Sequence, residues 1–220
     1  MHFEFLTEDQ SGKVMLELLL PELLPEADGH TFNVHFYKGI GRIPKGMRPT
    51  ADANKRILLD QIPRLLAGYG KAFAKYGSCY PAAVIVVCDL DDRNKARFEA
   101  ELKALTTNIR PCPAHAFCLA IEEGEAWFLG DPPAIRSAYP YAKTSVMKNY
   151  EQDSICGTWE LLADAVYHGG SETLKKEGWR RIGQEKSNWA QNITPHMQPG
   201  QNKSPSFNQF IKTVRKLSVD

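Results

Sequence analysis

The chain has no run of eighteen apolar residues, so no stretch of it reads as a membrane-spanning helix. No basic, apolar, small-residue leader precedes the opening MHFEFLTED, which goes straight into an alternating pattern containing acids, and the expectation is a cytoplasmic protein. Cysteine is sparse. The five present (Cys79, Cys88, Cys112, Cys118, Cys156) are odd in number and form no C-x-x-C pair, which argues against both a disulfide framework and a zinc site. Cys88 lies inside an apolar run and reads as a small core residue. The six histidines (His2, His30, His35, His115, His168, His196) read as core or surface residues. G-x-S-x-G and P-loop segments are both missing, which speaks against serine-hydrolase chemistry and against ATP hydrolysis by this chain. There is no internal repeat and no low-complexity tract.

Composition is that of an ordinary folded chain, 43% apolar and 24% charged. At 220 residues it can bury one real core with a modest appendage. The net charge is only +1, but it is unevenly spread. Residues 172–220 hold nine Lys/Arg against four Asp/Glu, leaving the rest of the chain at −4. A basic tail on an acidic body suits a polyanionic partner, and a solvated helix face gives the same count.

Strand patterns fall at about 2–7, 31–37, 82–88 and 114–121. Helical patterns lie between them, in GKVMLELLLPELL, in ADANKRILLDQIPRLLAGYGKAFAKYG, where as in the first a proline (Pro21, Pro63) should kink or divide the helix, and in RNKARFEAELKALTTN. Strand and helix in alternation require crossover connections, hence a mainly parallel, doubly wound α/β core over about residues 1–135. Residues 136–220 carry helical patterns without strands and read as a helical C-terminal extension packed on that core. Within it, HMQPGQNKSPS reads as a loop.

The acids gather where such a sheet binds ligands, at the carboxyl ends of its strands. Glu8 and Asp9 close the first strand; Asp89, Asp91 and Asp92 close the third; Glu122, Glu123 and Glu125 follow the fourth. On an extended segment side chains alternate, so the spacing of Asp89 and Asp91 points both to one side and frees Leu90 to pack on the other. Crowded carboxylates need neutralising, either by a raised pKa or by a bound cation, and all-oxygen donors suit Mg²⁺ or Mn²⁺. Ordinary explanations stand beside this one: Asp92 as a helix cap, Glu122 and Glu123 as solvated turn residues. The segment GIGRIPKGMRP (39–49) is a basic loop placed either to touch phosphate or merely to connect.

FLTED around Glu8 and VVCDLDD around Asp89 and Asp91 resemble the glutamate and D-x-D motifs of the Toprim fold. IEEGEAWFLGD (121–131) and NKSPSF (202–207) resemble a group of small stand-alone Toprim-like proteins, similar to the nuclease half of the OLD (overcoming lysogenisation defect) family and often encoded beside an AAA/ABC-type ATPase. The resemblance implies a Toprim-like sheet and metal-dependent cleavage of nucleic-acid phosphodiesters, DNA before RNA, in a defence or DNA-processing system. Glu8, Asp89 and Asp91 would hold Mg²⁺ or Mn²⁺. Glu125 would be a further acid, and Lys186 matches the late lysine of OLD-type nucleases, able to offset charge developing in the transition state. One departure is plain: the family's motif has glycine right after the glutamate and an acid four residues on, where this chain has Asp9 and Gly12. Either Asp9 or Glu125 substitutes, or one ion binds rather than two. The competing hypotheses are a catalytically silent Toprim-like module that binds nucleic acid or a partner ATPase, and a different Mg²⁺ enzyme such as a phosphatase. Partners outside the membrane follow in each case: nucleic acid, a separate ATPase, or a second copy of this chain.

Overall fold

A computed structural model describes residues 1–39, 41, 57–77, 80–154 and 157–219. Most of the basic loop 39–49 and two of the cysteines, Cys79 and Cys156, lie outside these described residues.

Four strands, β1 (His2–Thr7), β2 (Thr31–Phe36), β3 (Ala82–Asp89) and β4 (Ala114–Ala120), form one sheet in the order β2-β1-β3-β4, with every neighbouring pair parallel. β1 and β3 are the central strands, and their side chains are buried on both faces, which is why both read as continuous apolar runs. Phe3, Phe5, Ala83, Ile85 and Val87 face one layer of helices, whereas Leu6, Val84, Val86 and Cys88 face the other.

Helices α1 (Gln10–Leu23), α2 (Leu58–Phe73) and α3 (Lys95–Thr106) make the crossovers. α1 packs its Met15, Leu16, Leu19 and Leu20 on the first face, and α2 and α3 cover the second with Leu58, Ile62, Leu66, Phe98 and Leu102. The protein is therefore a doubly wound α/β fold. The chain leaves β1 toward one edge of the sheet and β3 toward the other, so the point where the winding reverses lies between their carboxyl ends.

Both helices run on through Pro21 and Pro63, so neither proline divides its helix. Pro21 lies in the last turn on the exposed side, and the carbonyl it leaves unpaired belongs to the exposed Glu17, where water can satisfy it. α3 is capped by Asn94, whose side chain accepts the Arg97 N–H at 3.0 Å, and the exposed Asp92 takes no part.

Beyond β4 come α4 (Glu125–Leu129), α5 (Pro132–Ala138), α6 (Thr144–Met147), α7 (Thr158–Val166), α8 (Gly170–Glu177), α9 (Trp179–Ile193) and α10 (Pro205–Val219). These helices share the core of the first sheet face: Trp127, Leu162, Trp189, Phe207 and Phe210 belong to the same buried cluster as Phe3 and Phe5. Phe210 stacks on Trp127 at 5.0 Å between ring centroids and meets Phe5 edge-on at 6.4 Å. The loop before α10 is ordered. Asn202 donates to the Trp127 carbonyl at 2.8 Å, and Trp127 donates its ring N–H to Ser206 at 3.0 Å. The segments 121–131 and 202–207 thus lock α4 onto α10. Among the described residues no helix is long and apolar enough to cross a membrane.

Candidate functional site

At the reversal point, between the carboxyl ends of β1 and β3, lies a cavity of about 20 Å³ lined by Glu8, Asp9, Asp89, Glu125, Thr7, Gly12 and Trp127, among others. That volume has room for about one water-sized species. Each acid arrives by a different local rule. Glu8 is the first residue past β1, and its Oε2 accepts the Asp89 backbone N–H at 3.2 Å. Asp9 is the N-cap of α1, its carboxylate taking the Gly12 N–H at 2.8 Å and the Ser11 hydroxyl at 2.6 Å. Asp89 ends β3, and Glu125 opens α4 with only 3% of its surface exposed.

The neutralising group comes from the far side of the sequence. Lys186, on the buried side of α9 with Ile182 and Trp189, places its Nζ 3.1 Å from Glu123 Oε1 and 3.3 Å from Glu125 Oε2. One lysine does not offset five acids. Burial first, then Asp9, pushes the Glu8 carboxyl up to about 7, although the Asp89 N–H works against the shift. Burial and the neighbouring Glu8 raise Asp89 well above the usual carboxylate range. Glu125 is raised by burial against the pull of Lys186, and Glu123 goes up to about 7 for the same reason. Burial alone would lower Lys186, yet Glu125, Glu123, Asp89 and Asp9 together hold it above the ordinary lysine value, so it stays charged.

Of the residues singled out from sequence, Glu8, Asp89 and Glu125 line the cavity, and Lys186 holds Glu125 from behind. Asp91 does not line it. β3 ends at Asp89, and Asp91 adopts φ +50°, so the period-two alternation expected of an extended D-x-D no longer applies. Its carboxylate is paired with Arg93 and half exposed, near enough to be felt by Glu8 as charge. Leu90 does pack away into the second face, as the spacing suggests.

Two glutamates read as solvated turn residues have other roles. Glu122 accepts the N–H groups of Gly157 and Thr158 at 2.7 and 2.6 Å, capping α7, and Glu123 is the closer partner of Lys186. Neither was legible locally, because the partners lie 35 to 63 residues away. Gly12, where the resembled motif has an acid, lacks room for a side chain: a Cβ there would sit 2.3 Å from Thr7 Oγ1.

An oxygen-only donor set around an ion-sized cavity fits a hard divalent cation. Buried Glu123 Oε2, two residues before the cavity's Glu125 in the chain, has no hydrogen-bond partner. The carboxylates line the cavity without closing on one point: among the described residues no three His, Cys, Asp or Glu form a preassembled cage.

Fold and site together define a doubly wound α/β protein with a buried acidic cavity at its winding reversal. The chain belongs to the family described as a domain of unknown function, DUF4276, whose model matches residues 7–215. No curated protein and no solved structure matches it.

Proposed function

We propose that the protein is a metal-dependent nuclease of the Toprim-like kind, hydrolysing nucleic-acid phosphodiesters at the acidic cavity and working with a separate ATPase subunit in a defence or DNA-processing system. The observation that carries the reading is the cavity itself, where carboxylates from the ends of β1 and β3 and the starts of α1 and α4 face one ion-sized space at the reversal of the winding. The sequence has no P-loop, so any ATP hydrolysis would come from another chain.

Glu8 and Asp89 are the residues that would hold Mg²⁺ or Mn²⁺, with Asp9 and Glu125 beside them, and Asp91 contributes field rather than a ligand. A divalent ion there would polarise a phosphoryl oxygen and supply positive charge to the phosphorane-like transition state. Lys186 keeps its proton, fixes Glu125 in place, and lends its own charge to the same region. The Asp89 N–H orients Glu8, and the N-cap bonds of Asp9 hold that carboxylate to the start of α1.

One observation favours a second reading. Lys186 already engages Glu123 and Glu125, and Gly12 leaves no space for another acid, which leaves few free carboxylates for two ions. A module that binds nucleic acid or an ATPase without turnover has the same fold. Cleavage of supercoiled plasmid with Mg²⁺ and then Mn²⁺ separates the two. The nuclease converts plasmid to nicked or linear product, and Asp89→Asn loses at least about a hundredfold in rate. Plasmid left intact by the protein alone and by the protein with its ATPase would sink the nuclease reading. As an independent readout, Mn²⁺ raises the melting temperature of the wild type and not of Asp89→Asn.

A further inference from the structure

A second surface stands apart from the acidic cavity. An open groove of about 660 Å³ is lined by Arg136, Thr144, Ser145, Lys148, Gln152 and Lys203, among others, with no acid in its walls. Its main segment carries no acid: from Pro132 to Tyr150 there is no Asp or Glu, but there are three cations, Arg136, Lys143 and Lys148, and three tyrosines.

Arg136, Lys148 and Lys203 are exposed, and none is ion-paired among the described residues. Lys175, Arg181 and Lys186, by contrast, each pair with glutamates. Nearby acids are committed elsewhere. Asp131 accepts the N–H groups of Ala134 and Gln198, and Asp153 accepts from Ser204 and Ser206. Glu151, the next acid along, is exposed and does not line the groove. The groove is therefore a concentration of uncompensated positive charge with hydroxyls at its edge, and Tyr141, 97% exposed, lies three residues before Thr144.

Its position is tied to the acidic site by α4. Glu125 opens that helix in the cavity; at its other end Leu129 accepts from Gln152 and Gly130 from the Lys203 N–H. Five helical residues span roughly 6–8 Å.

We infer that this groove binds the sugar–phosphate backbone of a nucleic acid strand, with Arg136, Lys148 and Lys203 on successive phosphates. Charge complementarity alone selects a polyanion; the choice of nucleic acid rests on the nuclease reading. Hydroxyls and backbone-directed cations position a strand without reading its bases, so binding is sequence-independent and steeply salt-dependent.

The test is fluorescence anisotropy with a fluorescein-labelled 20-nucleotide single strand in EDTA, where cleavage plays no part, over a salt titration. The wild type binds at 50 mM salt. Arg136→Glu/Lys148→Glu/Lys203→Glu weakens binding at least about tenfold and lowers the slope of log K against log salt by about 2, near 0.7 per lost contact. The milder Lys148→Gln/Lys203→Gln moves both in the same direction by less, and a circular-dichroism melt checks that each variant folds. Equal affinity and slope in wild type and folded triple variant, or no binding by the wild type, would overturn the groove, as would polyglutamate competing as well as DNA at equal charge. Binding that depends on the groove in a protein that never cleaves plasmid would instead retire the nuclease reading and leave the groove standing.

Discussion

Asp89 and Lys186 carry opposite burdens at the site, and substitutions at each should move stability in opposite directions. Asp89 is one of several acids crowded at low hydration, so Asp89→Asn removes repulsion; in EDTA at pH 8 its melting temperature should equal or exceed the wild type's. Lys186→Met leaves Glu123 and Glu125 buried without their cation, a loss of about 3–5 kcal/mol. For a chain of this size that lowers the melting temperature by at least about 6 °C. Adding Glu125→Gln should recover part of it. Glu8 sets a pH dependence. Burial, with Asp9 behind it, raises its carboxyl from 4.5 to about 7, so the native state keeps a proton that the unfolded chain releases in that window. The group's stabilising contribution is whole below about 4.5 and is lost as pH rises through about 7. Melting in EDTA between pH 4.5 and 8 should show this fall, and a flat profile would contradict it.

At the scale of elements, the junction of β1 with α1 is where sequence pattern and packing disagree most usefully. Helix propensity alone makes Gly12→Ala favourable by roughly 1 kcal/mol. The structure reverses the sign, since the new methyl would meet Thr7 Oγ1, and Thr7 is buried and β-branched with little freedom to move. We expect a destabilisation of about 1–3 kcal/mol by chemical denaturation. Thr7→Ala in the same chain should relieve it. The four strands and the long helices were legible because their apolar periods are local, and Asp9, Asn94 and Glu122 show what was not. Two carboxylates and an amide decide where α1, α3 and α7 begin, and which of several candidate polar residues does so depends on backbone angles that composition does not reveal. The short helices α4, α5 and α6, four to seven residues each, are too brief for a helical period to register.

On the scale of the whole molecule, the helices after β4 complete the core of one sheet face. α10 supplies Phe207, Phe210, Ile211 and Val214 to it, all buried, and Trp127 stacks on Phe210 and meets Phe207 edge-on. A chain ending at Ser204 would uncover Phe5 and Trp127; it should lose its cooperative thermal transition and near-ultraviolet signal, whereas removal of the last few residues alone should not. Strand periodicity and acids at strand ends are properties of short segments, so the doubly wound class and the arrival of Glu8 and Asp89 at one rim follow from the amino-acid order alone, and Glu125 joins them from the first turn of α4. Folding in three dimensions was needed to turn Asp91 away to Arg93, to bring Glu123 to the site, and to line one groove with the uncompensated cations Arg136, Lys148 and Lys203. Those outcomes depend on a left-handed residue after β3 and on contacts between segments far apart in the chain, and charge acts through space rather than along the chain.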